Sequence, residues 1–475
     1  MAIKFGTDGW RAIISEDFTF ANLRLVSQAI ADFILEQGEG EHTAVVGFDT
    51  RFLSDRYAAD VACVFAANGI TTWLSRADAP TPAVSYAIVE KGATAGVMIT
   101  ASHNPPRYNG VKLKASYGGS ATKGQHKRVE ELLQVNIEAD KSVTLVELDE
   151  AIEAGTIIKF DPAWNYYGHL ATMIDFDKIS QGELEIVADG MYGAGRGVFS
   201  EILTRSRSTV YNMRHKMNPG FGGVHPEPIG RNLRSLMSTM QSSPRDVGLA
   251  TDGDADRIGA VDDTGRFVDP HRIFALILRH LIENRGWRGK VVRTVSTTRM
   301  LDRICEAHDL EIIETPVGFN HIADLMMTDD ILMGGEESGG MSIKGHIPEG
   351  DGILIGLLLL EVIATAGKSF SKVIDELMRD YGPAQYQRTD IKLKRPIAKS
   401  EMVQFLLDNA PEQISKVEIE RIDTVDGVKY YLDDGSWLLI RPSGTEPVLR
   451  VYAEAANDDR VRALLNFGES MADQV

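Results

Sequence analysis

The chain alternates short apolar runs with helix-period stretches, and the apolar runs stop abruptly at polar loops. Phe20 to Gln37 repeats its apolar residues at helical spacing and ends at Gly38, whereas Thr43 to Gly47 is a brief β-branched run leading to Asp49, Thr50 and Arg51. The run Ala95 to Ile99 predicts a buried strand. It gives way to Ser102 and His103, then to the breakers Asn104, Pro105 and Pro106. Asn109-Gly110 predicts a tight turn into a strand over Val111 to Lys114, which returns Lys112 towards the serine loop. Strands and helices alternating in this way predict an α/β layer domain over residues 1–154.

The pattern recurs. In a second unit, 155–263, strands over Leu184 to Ala188 and Val247 to Thr251 end in Asp189-Gly190 and in DGDADR (252–257). In a third, 264–384, a helix over Arg272 to Glu283 and a strand over Val291 to Val295 precede Ile331 to Met333, which runs into GEESGG (335–340). Three apolar strands thus end in polar loops, which predicts three similar α/β units with mixed sheets presenting those loops to one cleft. The last unit, 385–475, reads differently: strands at Asp390 to Leu393, Val417 to Arg421, Val428 to Leu432, Trp437 to Ile440 and Val448 to Ala455, with a closing helix, predict an α+β domain.

Composition narrows the function. The 475 residues are 43% hydrophobic and 25% charged, an ordinary globular balance that suggests several domains. A net charge of −18 argues against general nucleic-acid or membrane-surface binding, so an anionic ligand would need locally concentrated cations. The two cysteines, Cys63 and Cys305, lie in apolar helical patterns and read as buried thiols. The N-terminus carries no leader pattern, and the longest apolar run, Ile353 to Leu360, is too short for a membrane span. A cytoplasmic monomer or homodimer is the expectation.

The loops carry the candidate chemistry. Asp252, Asp254 and Asp256 alternate, so hard oxygen ligands can converge on a divalent cation such as Mg²⁺. An EF-hand is rejected because Arg257 and Asp263 stand where that loop needs Gly and Glu. An aspartyl-phosphate phosphatase with Asp252 as nucleophile remains an alternative. Glu336 and Ser338 suit the vicinal hydroxyls of a sugar. RPSGTEP (441–447) offers Arg441, Ser443, Gly444 and Thr445 as a phosphate cradle, and Arg450 shares a strand face with Tyr452 and Glu454.

These loops, in this order, resemble the α-D-phosphohexomutase family, and the likeness runs from FGTDGWR (5–11) to RVYAEA (450–455). The resemblance implies a TATA-binding-protein-like C-terminal domain closing over the cleft. It also implies a phosphorylated Ser102 whose phosphate joins the three aspartates around Mg²⁺. Lys112 matches the lysine of the family's NG-x-K element and is the acid/base candidate, with His103 orienting groups or assisting proton movement. Arg257 and Arg11 would support the phosphoserine. The implied reaction interconverts glucose 1-phosphate and glucose 6-phosphate through a bound glucose 1,6-bisphosphate. Glu337 leans towards glucose, while Gly340, where relatives carry His, leaves mannose or glucosamine phosphates open. Asn320 stands where a lysine is expected, with His321 as a stand-in, and it keeps a non-catalytic phosphosugar-binding protein in view.

Overall fold

The computed structural model describes residues 3–6, 8–393, 397–442 and 448–472. Four sheets organise them. The first runs, edge to edge, Trp10–Ile13, Tyr108–Ala115, Ala95–Ile99, Thr43–Phe48, Thr71–Ser75 and Ile157–Phe160. Its last four strands are parallel, Tyr108–Ala115 runs against them, and Trp10–Ile13 pairs antiparallel with Tyr108–Ala115. The second sheet orders Phe267–Val268, Ile258–Val261, Val247–Thr251, Glu185–Asp189 and Thr209–Met213. The third orders Ile312–Thr315, Lys290–Thr294, Ile331–Gly335 and Met341–Ile343.

One rule recurs in all three. A buried strand from the parallel part of the sheet leads through a polar loop into an antiparallel neighbour: Ala95–Ile99 into Tyr108–Ala115, Val247–Thr251 into Ile258–Val261, Ile331–Gly335 into Met341–Ile343. The connections are the serine loop, DGDADR and GEESGG. Each loop therefore hangs from two paired strands, which restricts its backbone far more than a free crossover would. The fourth sheet is wholly antiparallel and is backed by helices Lys399–Asp408 and Asp458–Ala472, in agreement with the α+β reading.

Three sequence expectations need correction. Asn109-Gly110 is no turn but part of the strand Tyr108–Ala115. Trp10–Ile13 and Ala95–Ile99 flank that strand, and a Cβ at Gly110 would meet the carbonyls of Thr100 and Trp10 at 2.6 Å, so glycine is required by close approach. Asn109 is buried and donates to Ser54 Oγ at 2.9 Å. The boundary at 154 moves, because Ile157–Phe160 completes the edge of the first sheet beside Thr71–Ser75. The boundary at 263 moves too, because Phe267–Val268 pairs with Ile258–Val261. An unpaired edge is costly, and a short extra strand covers it in each case.

The second and third units share one apolar core that joins Ile186 and Leu249 to Val291 and Leu358. At its centre lies helix Gly352–Ala366, whose run Ile353 to Leu360 is buried on every side. Each such leucine or isoleucine contributes about 1.5–3 kcal/mol by burial. The run is thus a core helix, and among the described residues no single helix is long and apolar enough to cross a membrane. Cys63 and Cys305 are free and buried, and burial pushes the thiols up to about 11 and about 12.

Candidate active site

Ser102 is fully buried, with φ at +50°. A left-handed serine costs of order 1–3 kcal/mol, so the surroundings must hold it. They do so through Arg51. Its guanidinium donates to the carbonyls of Ser102 (2.5 Å), Asn104 (2.7 Å), Pro105 (2.9 Å) and Tyr108 (3.0 Å). Asp49 lies 3.2 Å from Arg51 and accepts from Thr100 Oγ1 at 2.7 Å, and Thr100 Oγ1 in turn accepts from the Ser102 amide at 2.8 Å. Burial pushes the Asp49 carboxyl up to about 6 despite the nearby guanidinium. Arg11 donates to Asn104 Oδ1 at 2.8 Å and completes the support.

The serine side chain points at the aspartate loop. Ser102 Oγ donates to Asp252 Oδ2 at 2.9 Å. The loops approach so closely that a Cβ at Gly253 would collide with the Ser102 carbonyl oxygen. Oxygens from Asp252, Asp254 and Asp256 lie within 4.8 Å of one another, and all three residues are buried. Lys112 Nζ lies 2.9 Å from Asp254, 2.7 Å from Asp256 and 2.8 Å from Asp8. Thr81 Oγ1 donates to Asp254 Oδ2 at 2.7 Å.

Crowding like charges in a buried site drives their proton affinities apart. Burial and the two neighbouring carboxylates push Asp252 well above the ordinary range. Burial acts upward on Asp254 and Asp8 as well, but Lys112 with Thr81 and Arg11 around Asp254, and Lys112 with Lys114 and Arg11 around Asp8, together outweigh it and both are held low. Lys112 in turn is pushed well above its usual value, because Asp254, Asp256 and Asp8 outweigh its burial. His103 goes the other way: burial, then Arg257, Arg11 and Arg51, hold it well below the usual imidazole value, so it is neutral at pH 7. Its Nδ1 has no partner among the described residues.

Arg257 joins this cluster to the third unit. Its amide donates to Asp252 Oδ1 at 3.3 Å, its guanidinium lies 3.7 Å from Asp256, and its backbone forms an isolated β-bridge with Gly340 of GEESGG. Glu336 accepts from the Gly318 amide at 2.9 Å and lies 3.4 Å from Ser338 Oγ. Burial pushes Glu336 up, with Arg257 opposing. Glu337 turns instead to the fourth unit, accepting from Arg388 (3.0 Å) and Tyr386 (3.1 Å).

Arg441 and Arg450 are cross-strand partners in the fourth sheet. Arg441 Nε donates to Asp426 Oδ2 at 2.6 Å, and the same oxygen accepts from the Val317 amide, next to Gly318. A short chain of contacts thus connects Arg441 to Glu336. Ser443, Gly444 and Thr445 lie outside the described residues. Asn320 is buried with Oδ1 unpartnered among the described residues, while His321 Nε2 lies 3.3 Å from Lys123 Nζ.

The structure therefore brings Ser102, His103, Lys112, Arg11, Arg257 and the three aspartates into one cluster, with Glu336 and Ser338 stitched to it by the Arg257 bridge. The sequence reading passed over Asp8, Asp49, Arg51 and Thr81. Asp49 and Arg51 follow an apolar strand just as Ser102 does, and that rule could have found them.

Comparison with known proteins shows the family. Profiles described as phosphoglucomutase/phosphomannomutase α/β/α domains I, II and III match residues 2–140, 165–265 and 269–381, and the C-terminal domain profile matches 402–467. A Thermococcus kodakarensis phosphoglucomutase/phosphomannomutase is 30% identical over 474 residues, covering 100% of this chain and 99% of its own. A Methanothermobacter thermautotrophicus protein provisionally assigned as a phosphoglucosamine mutase is 33% identical over 464 residues, covering 96% of this chain and 95% of its own. The crystal structure of a Thermus thermophilus protein provisionally assigned as a phosphomannomutase superposes with a TM-score of 0.88 at 33% identity, covering 100% of this chain and 99% of that one. This chain belongs to the phosphoglucomutase/phosphomannomutase family of phosphohexomutases.

Proposed function

We propose that the chain interconverts glucose 1-phosphate and glucose 6-phosphate through phosphoserine 102 and a bound glucose 1,6-bisphosphate. The observation that carries the reading is the contact of a buried, strained serine hydroxyl with the first of three convergent aspartates. Such a serine can carry a phosphoryl group between turnovers. In the forward step the bond from phosphorus to Ser102 Oγ breaks as one forms to the free hydroxyl of the sugar phosphate. The hydroxyl proton must leave and the serine oxygen must gain one. His103, with Nδ1 unpartnered among the described residues, and Lys112, in contact with Asp254 and Asp256, are the candidates to carry these protons; with those carboxylates engaged by a cation, Lys112 would hold its proton less tightly. The bisphosphate then reorients and returns its other phosphoryl group to the serine.

The donor set suits Mg²⁺. Asp252, Asp254 and Asp256 are hard ligands, and the buried Asp254 Oδ1 and Asp256 Oδ1 have no hydrogen-bond partner among the described residues. Bound there, the cation would neutralise charge on the phosphoryl group in transit. Glu336 and Ser338 would read the sugar hydroxyls, while Arg441, Arg450, Ser443, Gly444 and Thr445 would hold the phosphate that is not being transferred. Glucose is preferred over mannose and glucosamine because Glu337 follows the glucose-leaning form of the loop. Relatives named for each activity make this the finer half of the reading.

Two measurements test it. Ser102→Ala should lower turnover of glucose 1-phosphate by about 10⁴-fold or more while binding changes little. Near-native turnover would refute the phosphoserine. Catalytic efficiencies on glucose, mannose and glucosamine 1-phosphates should rank glucose first, and a higher value for either competitor would reassign the substrate.

A further inference from the structure

Strand Tyr108–Ala115 buries two lysines on one face. Lys112 is 1% exposed and Lys114 is 0% exposed, two positions apart. Nothing in the proposed chemistry uses Lys114. A buried ammonium is nevertheless expensive, of the order of several kcal/mol even when paired, and a methionine would fill the same space without that cost. Its partners give it a purpose.

Lys114 Nζ lies 2.6 Å from Glu349 Oε2 and 3.3 Å from Ser120 Oγ. Ser120 Oγ donates to Asp8 Oδ1 at 2.7 Å, and Asp8 Oδ2 lies 2.8 Å from Lys112 Nζ. Asp8 Oδ1 is thus engaged by Ser120 and, at 3.9 Å, by Lys114 itself, whereas Oδ2 meets the cleft lysine and, at 3.7 Å, Arg11. Asp8 is the more accessible link, with its side chain 28% exposed, whereas Glu349 and Lys114 are sealed. A carboxylate at that exposure is free to rotate unless held. If Asp8 turned away, Lys112 would keep only its two metal-site aspartates and would be drawn further onto them.

We infer that Lys114 and Glu349 are positioning residues, which fix the proton-transferring Lys112 through Ser120 and Asp8. The inference rests on the mutase reading above. Because Glu349 belongs to the third unit, just before helix Gly352–Ala366, the same contacts make the setting of Lys112 depend on docking of the unit that carries the sugar loop.

Removing one partner alone leaves the other charge buried and unpaired, which threatens folding. The test therefore removes both: Lys114→Met with Glu349→Gln, in the full chain, assayed with Mg²⁺ and glucose 1-phosphate. Turnover is normalised to phosphorylated Ser102 by intact mass. The double variant should melt near the wild type and lose about 10–30-fold in kcat, with KM within about threefold, because a misplaced proton donor slows chemistry and not binding. Ser120→Ala, which removes the hydrogen-bonded part of the link but leaves the 3.9 Å contact of Lys114 with Asp8, should lose less, about threefold, with the same split. Undiminished kcat in both variants, or a loss expressed only in KM, would overturn the inference. A wild type inactive on glucose, mannose and glucosamine 1-phosphates would instead overturn the mutase reading beneath it.

Discussion

Two of the buried charge clusters among the described residues are built on opposite terms. In the core between the second and third units, Glu361 has every oxygen satisfied. Oε1 lies 2.8 Å from both His280 Nε2 and Arg285 Nε, while Oε2 accepts from the Asp175 amide at 2.9 Å and from Arg285. Burial acts to raise this carboxyl, but the hydrogen bonds from His280 and Arg285 outweigh it and hold it down to about 2. In the cleft, four carboxylates crowd around Lys112, two aspartate oxygens have no hydrogen-bond partner among the described residues, and neighbouring acids are driven in opposite directions. The first cluster is a finished joint. The second keeps carboxylate oxygens without a hydrogen-bond donor, which is the condition under which a buried site draws a cation.

The contrast breaks most visibly at the cleft. Asp252→Asn should lower turnover by about 10³-fold or more, since it removes a proposed cation ligand and the acceptor of Ser102 Oγ. Without Mg²⁺ its melting temperature should stay within a few degrees of the wild type, because crowding already biases this carboxyl towards the neutral form. A large fall in melting temperature would erase the distinction between the clusters.

Glu361→Gln should do the reverse. It leaves the half-buried Arg285 without its counter-charge and should cost about 3 kcal/mol in urea unfolding, while kcat of the folded fraction stays unchanged. Its pH dependence has a definite sign. The carboxyl is held below its unfolded value of 4.5, so its contribution is complete above that pH and fades as pH falls towards 2. The wild type should lose stability across that window more steeply than Glu361→Gln, and parallel curves would refute the assignment. The smallest effect belongs to Glu337→Gln, which weakens the tie to Arg388 and Tyr386. It should lower kcat/KM by about three- to tenfold with little change in melting, and an unchanged value would mean that this tie does not govern closure over the sugar.

Much of this was legible before any coordinates. An apolar strand that stops at Ser102, Asp252 or Glu336 announces itself, because burial and polarity change within a residue or two. What the pattern hides is whatever depends on partners remote in sequence. Arg51 reads as one more loop arginine, since nothing local reveals that four carbonyls surround it. Lys114 and Glu349 are 235 positions apart, and neither has a neighbour that betrays the other. Asn109-Gly110 misleads for a related reason: the pair is chosen for close packing between two strands, and the same two residues also favour a turn. The short strands that close the sheet edges, Ile157–Phe160 and Phe267–Val268, were missed because four or fewer residues carry too little period to read.

The backbone stitch between Arg257 and Gly340 has a consequence for how this molecule can be retuned. A Cβ at Gly340 would find ordinary contacts, 3.7 Å from Phe319 and 3.9 Å from Glu336 Oε2, so a larger side chain is admissible there. Under the proposed function, hexose choice and ion handling are coupled through this seam: side chains along it can be exchanged one at a time, whereas a change that unpicks it would alter both traits at once.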